Sequence, residues 1–207
     1  MAIVGVHFSH FIQHDTRSVL EWVSTVSKWL GFAHFGSVLE RADQGFHLAD
    51  AAADTIQLYQ AAKKVSDWTS VGRVLSKGSS LVGNVASSID FLHHIQAITL
   101  ESGLLSRIAV VGDVASLIRN TYKVARLGQK VFQEASLQGG PAQLKVIRHS
   151  TQLVRTIIKI ACAILALGMV MGLFAVSSTA LLILSSAALI LATTAYLLKR
   201  EIHRLEN

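Results

Sequence analysis

Apolar residues recur at helical spacing through most of the chain. After Asp15, a residue suited to capping a helix, Val19, Trp22, Val23, Val26, Trp29 and Leu30 fall on one face, and Gly31 ends the run. A second stripe runs Leu39, Ala42, Phe46, Ala49, Ala53, Ile56. A third, beginning after Trp68, runs Val71, Leu75, Val82, Val85, Ile89, Leu92. The fourth is the most regular: Leu104, Ile108, Val111, Ala115, Ile118, Tyr122 and Ala125 alternate by four and three. Breaks near 31–36, 66–70 and 99–103 leave room for antiparallel turns. The pattern predicts an up-and-down bundle of amphipathic helices over 15–138, each burying its stripe against the others. Residues 1–14 form a separate N-terminal segment. Gln138-Gly139-Gly140-Pro141 marks the firmest boundary, because glycine breaks a helix and proline suits the first turn of the next. The helix that follows is expected to run unbroken from about Ala142 into the apolar tract that comes next.

The pattern then changes. Between Lys159 and Lys199 lie 39 residues, 160–198, without a charge. As one helix they would be about 58 Å long, whereas the hydrocarbon core is about 30 Å thick and takes about 20 residues to cross. Two passes fit and one does not. The polar tripeptide Ser177-Ser178-Thr179 divides the tract into 160–176 and 180–198. The fold class expected is therefore all-α: a helical bundle, a basic juxtamembrane helix over 139–159, a transmembrane hairpin over 160–198, and a basic tail over 199–207. Gly168 and Gly172 form a GxxxG pair on the first lobe, and Ser178, Ser185 and Ala192 give the second a seam of small residues. These two seams are expected to pack together. The alternative arrangement hides the apolar hairpin inside a jacket of the amphipathic helices.

Composition agrees with a bilayer. Apolar residues make up 51% and charged residues 15% of the 207 positions, against about 25% charged in soluble domains. One proline speaks against a turn-rich β fold, and a single cysteine, Cys162, excludes an internal disulfide. The formal charge of +6 is unevenly placed. Lys145, Arg148, Arg155 and Lys159 precede the uncharged tract, and Lys199, Arg200 and Arg204 follow it. Basic flanks stay on the side of synthesis, so both ends of the hairpin are expected in the cytoplasm. The same seven residues are expected to bind anionic lipid headgroups. A nucleic-acid partner is not expected, since the charges bracket the apolar tract instead of striping a folded domain. Residues 1–16 hold no Lys or Arg, so no cleavable secretory signal is expected.

Candidate chemistry is sparse. His7, His10 and His14 have a metal-like spacing but no fourth ligand, and His93 and His94 are adjacent. Glu40, Asp43, His47, Asp50 and Asp54 repeat by three and four, which reads as a solvated or partner-facing edge more readily than as a cation site. The run from Gly78 to Gly83 has phosphate-loop glycine spacing without the required lysine, so it reads as a place of close helix contact. Trp22 and Trp29 read as core residues more readily than as an interfacial pair. No catalytic residue, metal or cofactor is expected.

The two-lobed tract of 160–176 and 180–198, with its short Ser-Ser-Thr tip and same-side ends, resembles the bilobed hydrophobic domain of chlamydial inclusion membrane (Inc) proteins. That resemblance covers residues 145–207. It implies type III secretion, insertion into the vacuole membrane of an infected host cell, and a helical region that recruits host proteins. A rival resemblance is to peroxisomal membrane-elongation peroxins. The expected function is accordingly a membrane-anchored helical interaction protein, with self-association open. The alternative is a membrane-shaping or pore-forming protein whose amphipathic helices themselves enter the bilayer.

Overall fold

A computed structural model describes residues 19–137, 140–173 and 175–206. All of its regular structure, among these residues, is helical. We number the helices α1 (residues 19–29), α2 (Ala33–Ala62), α3 (Trp68–His94), α4 (Ser102–Ala135), α5 (Gly140–Val170) and α6 (Ser178–Glu206). The all-α class and the final apolar hairpin are as the sequence pattern predicts. The proposed cap Asp15 and the His7, His10, His14 set lie outside the described residues.

Local chemistry sets the helix ends. Gly31 and Gly172 adopt positive φ, +89° and +67°, which glycine tolerates without a Cβ clash. In each case the next residue bonds back five positions, Phe32 N to Ser27 O at 2.8 Å and Leu173 N to Gly168 O at 2.8 Å. Glycine in this place and this 6→1 bond stop α1 and α5. Asp67 caps α3: its side chain accepts from Ser70 N at 2.7 Å, and Ser70 Oγ accepts from Asp67 N at 3.0 Å. Those bonds to the charged form hold the Asp67 carboxyl below its ordinary pKa. Ser177 caps α6 by accepting from Ala180 N at 3.2 Å.

Helices α2 to α6 pack in sequence order, each against its neighbours in the chain and no other member of that set. Side-chain bonds give the registers. His149 Nδ1 lies 2.7 Å from Glu134 Oε2, tying the start of α5 to the end of α4. Lys145 Nζ lies 2.6 Å from Glu206 Oε1, tying the start of α5 to the end of α6. Both contacts require antiparallel neighbours. The buried residues then follow heptads: Asn120 and Leu127 lead to Glu134 on α4, and His149, Thr156, Ala163 run along α5. On α6 the buried residues are Ala192, Ala195 and Ile202. Helix α1 folds back on α2, where Ser24 Oγ donates to Gly36 O at 2.8 Å and Lys28 pairs with Glu40. It also reaches α6, for Trp22 Nε1 donates to Ser186 Oγ at 2.9 Å.

Three expectations need correction. The first lobe of the hairpin ends at Val170, not 176, because Gly172 takes the left-handed conformation and terminates α5. The tip is accordingly 171–177, and Ser178 and Thr179 belong to the first turn of α6. The second concerns the hairpin seam. Gly168 is buried in α5, but Gly172 lies in the turn with open space around it, so the two share no helical face. On α6, Ser178 is exposed, Ser185 bonds its own helix at Leu182 O, and only Ala192 of the expected triplet is buried. The third is larger: the amphipathic helices do not hide their stripes.

Candidate membrane-facing surface and its polar seams

Helix α2 shows the inversion best. Its apolar stripe stays open to the surroundings, with Ala42, Phe46, Ala49, Ala53 and Ile56 all exposed. The acidic series beside it turns inward instead. Asp43 and Asp54 are buried against α3. There Asn84 Nδ2 donates to Asp54 Oδ2 at 2.8 Å, while Asn84 Oδ1 lies 2.6 Å from His47 Nδ1. Asp43 Oδ2 stands 4.0 Å from His47 Nε2, and Gln44 Nε2 donates to Asp90 Oδ2 at 2.7 Å. The edge is therefore divided: His47 and Asp54 bond α3, whereas Glu40 is exposed and pairs with Lys28 of α1. A buried carboxylate left without hydrogen bonds would be strongly destabilising, so these bonds are what allow Asp54 inside.

Helix α3 repeats the arrangement. Lys77 and Asn84 meet α2, through Gln57 and Asp54. Gly83 and Ala86 meet α4, where a Cβ on Gly112 would stand 3.1 Å from Ala86 Cβ and a Cβ on Gly83 would stand 3.8 Å from Gly112 O. The Gly78 to Gly83 run thus serves close helix contact, as its composition suggests. Val71, Leu75, Val82 and Val85 remain exposed on the outer side. On α4 the regular stripe divides: Ala115 is buried, while Leu104, Val111 and Ile118 are exposed. Trp68 and Phe132 are 89% and 82% accessible. Trp29 is likewise exposed and Trp22 half-buried, so neither is a closed core residue.

The hairpin is open on the same terms. Ile157, Ile164, Ile183, Ile190 and Leu197 are exposed, with Ile183 and Ile190 about two-thirds accessible at 64% and 65%. Both α5 and α6 are long and apolar enough to cross a membrane. A jacket of helices around a hidden hairpin is not what forms. The buried residues across the described fold are instead mostly small or polar, Ser24, Ser27, Ser79, Ser88, Asn120, His149 and Thr156 beside Ala86, Ala115, Ala163, Ala192 and Ala195, with Leu127 and Ile202 the large apolar exceptions. Small and hydrogen-bonding residues inside with large apolar residues outside suit helices that associate within lipid.

The seven basic residues differ in their surroundings. Lys145 is engaged with Glu206, and Arg148 keeps its Nε buried. Arg155 and Lys159 are half-buried and act on α4, where their charges reach Lys123. Lys199, Arg200 and Arg204 are exposed near the end of α6, with Arg204 3.8 Å from Glu201. What the sequence reading missed is the α4 side of this charge, Arg119 and Lys123, which sit one helical turn apart. Their spacing was visible, but only packing against α5 brings them beside Arg155 and Lys159.

A polar cavity of about 290 Å³ lies among α2, α3 and α4, lined in part by Gln44, Ser79, Asn84, Asp90, Asp113 and Arg119. Burial raises the pKa of Asp113 there. Among the described residues no group of three or more His, Cys, Asp or Glu is placed to hold a metal ion. His93 Nδ1 accepts from Leu100 N at 3.2 Å and closes the α3–α4 loop, whereas His94 bonds Asp90 of its own helix. Comparison of the chain with protein families, with curated proteins and with solved structures yields no match.

Proposed function

We propose that this is a non-enzymatic membrane protein that acts on the bilayer itself: the α5–α6 hairpin crosses the membrane, and α1 to α4 cover lipid with their apolar outer faces. One observation carries the reading, namely seams of mostly small or polar residues with large apolar residues exposed on the outer faces. A protein partner typically covers about 20–30 residues on each side, whereas the faces in question extend over six helices. Lipid covers all of them. Exposed Arg41, Arg73, Arg107 and Arg126 on α2 to α4 argue for helices that lie at the lipid–water boundary once α4 swings off α5, for in this structure the Glu134–His149 register sets the two antiparallel side by side. Amphipathic helices wedged at that depth expand one leaflet, which bends or opens a bilayer.

The same arginines favour a second reading, in which part of the arm stays in water and holds a protein partner while the hairpin anchors it. In either case we place both ends of the hairpin on the cytoplasmic side, following the basic residues around the Lys145–Glu206 contact. The inclusion-membrane resemblance would make that side the host cytosol. The test uses the full-length chain and vesicles of phosphatidylcholine with and without anionic lipid. Resistance to alkaline extraction, with tubulation or dye leakage, supports the first reading. Stable insertion that leaves vesicle shape and permeability unchanged supports the second. A chain that stays monomeric without detergent and ignores vesicles overturns both.

A further inference from the structure

Helix α1 makes contacts that do not follow chain order. Helices α2 to α6 pack only on their neighbours in that set, so α2 and α6 are the two ends of a row of five. Packed helix axes stand about 8–10 Å apart, and a flat row would hold its ends about 32–40 Å from each other. Two bonds made by α1 exclude a flat row. Ser24 Oγ donates to Gly36 O of α2 at 2.8 Å, and Trp22 Nε1 donates to Ser186 Oγ of α6 at 2.9 Å. Helix α1 is about 16 Å long, and Trp22 and Ser24 lie within one turn of it. Both ends of the row therefore come within reach of one short helix. The row is curled, and α1 bridges its open side.

The two attachments of α1 differ in strength. Toward α2, Ser24 and Ser27 are buried, Lys28 pairs with Glu40, and a Cβ on Gly36 would stand 2.9 Å from Ser24 O. Toward the hairpin, the one side-chain hydrogen bond among the described residues is that of Trp22 with Ser186. Ile183 and Ile190, one turn to either side of Ser186, stay 64% and 65% accessible, so little packing shelters it. Helix α1 therefore parts from the hairpin before it parts from α2. Lipid favours that parting. Ser186 lies inside the uncharged tract of 160–198, whereas α1 carries exposed Glu21 beside Trp22 and exposed Lys28. Charged side chains are costly in hydrocarbon, so α1 does not follow Ser186 there.

We propose that α1 is a strap that holds the arm, α2 to α4, curled against the hairpin, and that parting Trp22 from Ser186 lets the hairpin enter lipid. The strap stays with α2 when it opens and leaves with the arm, which is then free to swing off α5 onto the membrane surface. The closed form keeps Ser186 bonded and its face of α6 partly covered; the open form gives that face to lipid. This deepens the membrane reading above and rests on it.

The test dilutes the full-length chain from neutral detergent into phosphatidylcholine vesicles containing anionic lipid and times its resistance to alkaline extraction. Val19→Cys, one turn from Trp22, is paired with Ile183→Cys or Ile190→Cys in a Cys162→Ser background, which leaves the Trp22–Ser186 bond intact. A short bis-maleimide with a disulfide in its spacer is expected to join at least one pair, and the joined chain should not insert. Reducing the spacer should restore insertion to the rate of the same variant left unjoined. Trp22→Phe and Ser186→Ala, each lacking one partner of the bond, should insert about fivefold faster than the parent. Ser186→Thr keeps the hydroxyl and should insert at the parent rate. Failure of both pairs to join, a joined chain that inserts undiminished, or loosened variants at the parent rate overturns the strap and leaves the membrane reading standing. A parent chain that never resists extraction overturns the membrane reading and the strap with it.

Discussion

At the scale of single residues, Asn84 is the clearest case of a side chain whose role reverses between sequence and structure. In the sequence it is the residue that spoils a phosphate loop. In the fold it donates to buried Asp54 and meets His47 across the α2–α3 seam. Asn84→Ala leaves Asp54 enclosed without that donor, and we expect it to cost about 2 kcal/mol or more, read as a lower urea midpoint in micelles. Lys123 makes an opposite contribution. Its folded pKa, about 8, is below the ordinary lysine value of 10.5, so the folded state releases its proton first. Between those two values the unfolded chain binds more protons, and stability must rise with pH. Thermal unfolding followed from pH 7 to 10 is expected to show that rise, and Lys123→Met is expected to flatten it and to raise stability at pH 7.

At the scale of elements, the glycines divide by what surrounds them. Gly172 needs its positive φ and has open space around it. Alanine there is strained by backbone alone, and Gly172→Ala should cost about 1 kcal/mol of hairpin stability. Gly36 is limited by neighbours: a Cβ would stand 2.9 Å from Ser24 O, a backbone atom that cannot turn away. Gly36→Ala must move α1 off α2, and the expected loss of about 1–3 kcal/mol should come with weaker Trp22 burial, seen as a red shift of tryptophan fluorescence. The helix existences, the turn regions and the Gly31 stop were legible in the sequence because spacing and glycine act locally. The end of α5 was not, since Gly172 reads equally well as a packing residue inside a longer helix. Only its dihedral separates the two.

At the scale of the whole molecule, the question is which medium covers the outer faces. If the hairpin crosses lipid, labels at its base and its tip must fall on opposite sides. In a Cys162→Ser background, Gln143→Cys and Arg204→Cys are expected to react with an impermeant maleimide from one side of sealed vesicles. Ala175→Cys should react only from the other. Native Cys162 should stay unlabelled until detergent dissolves the bilayer. Reaction of Gln143→Cys and Arg204→Cys from different sides would defeat the hairpin topology. The candidate surface was half legible: its apolar stripes stood in the sequence, but the expectation that helices bury such stripes against each other assumed water outside.

The order of apolar and polar positions was enough to settle helices, their approximate ends and the uncharged tract that folds as an apolar hairpin, because hydrogen bonding within a helix and side-chain spacing along it are properties of neighbouring residues. Which stripe turns inward is not such a property. Asp54 and Asn84 lie on the inner seam because acceptor and donor meet across two helices, and that pairing exists only after α2 and α3 have found their register. The contact of Trp22 with Ser186 has the same origin. Its partners stand 164 positions apart in the chain, and it took the curled row of α2 to α6 to set them side by side.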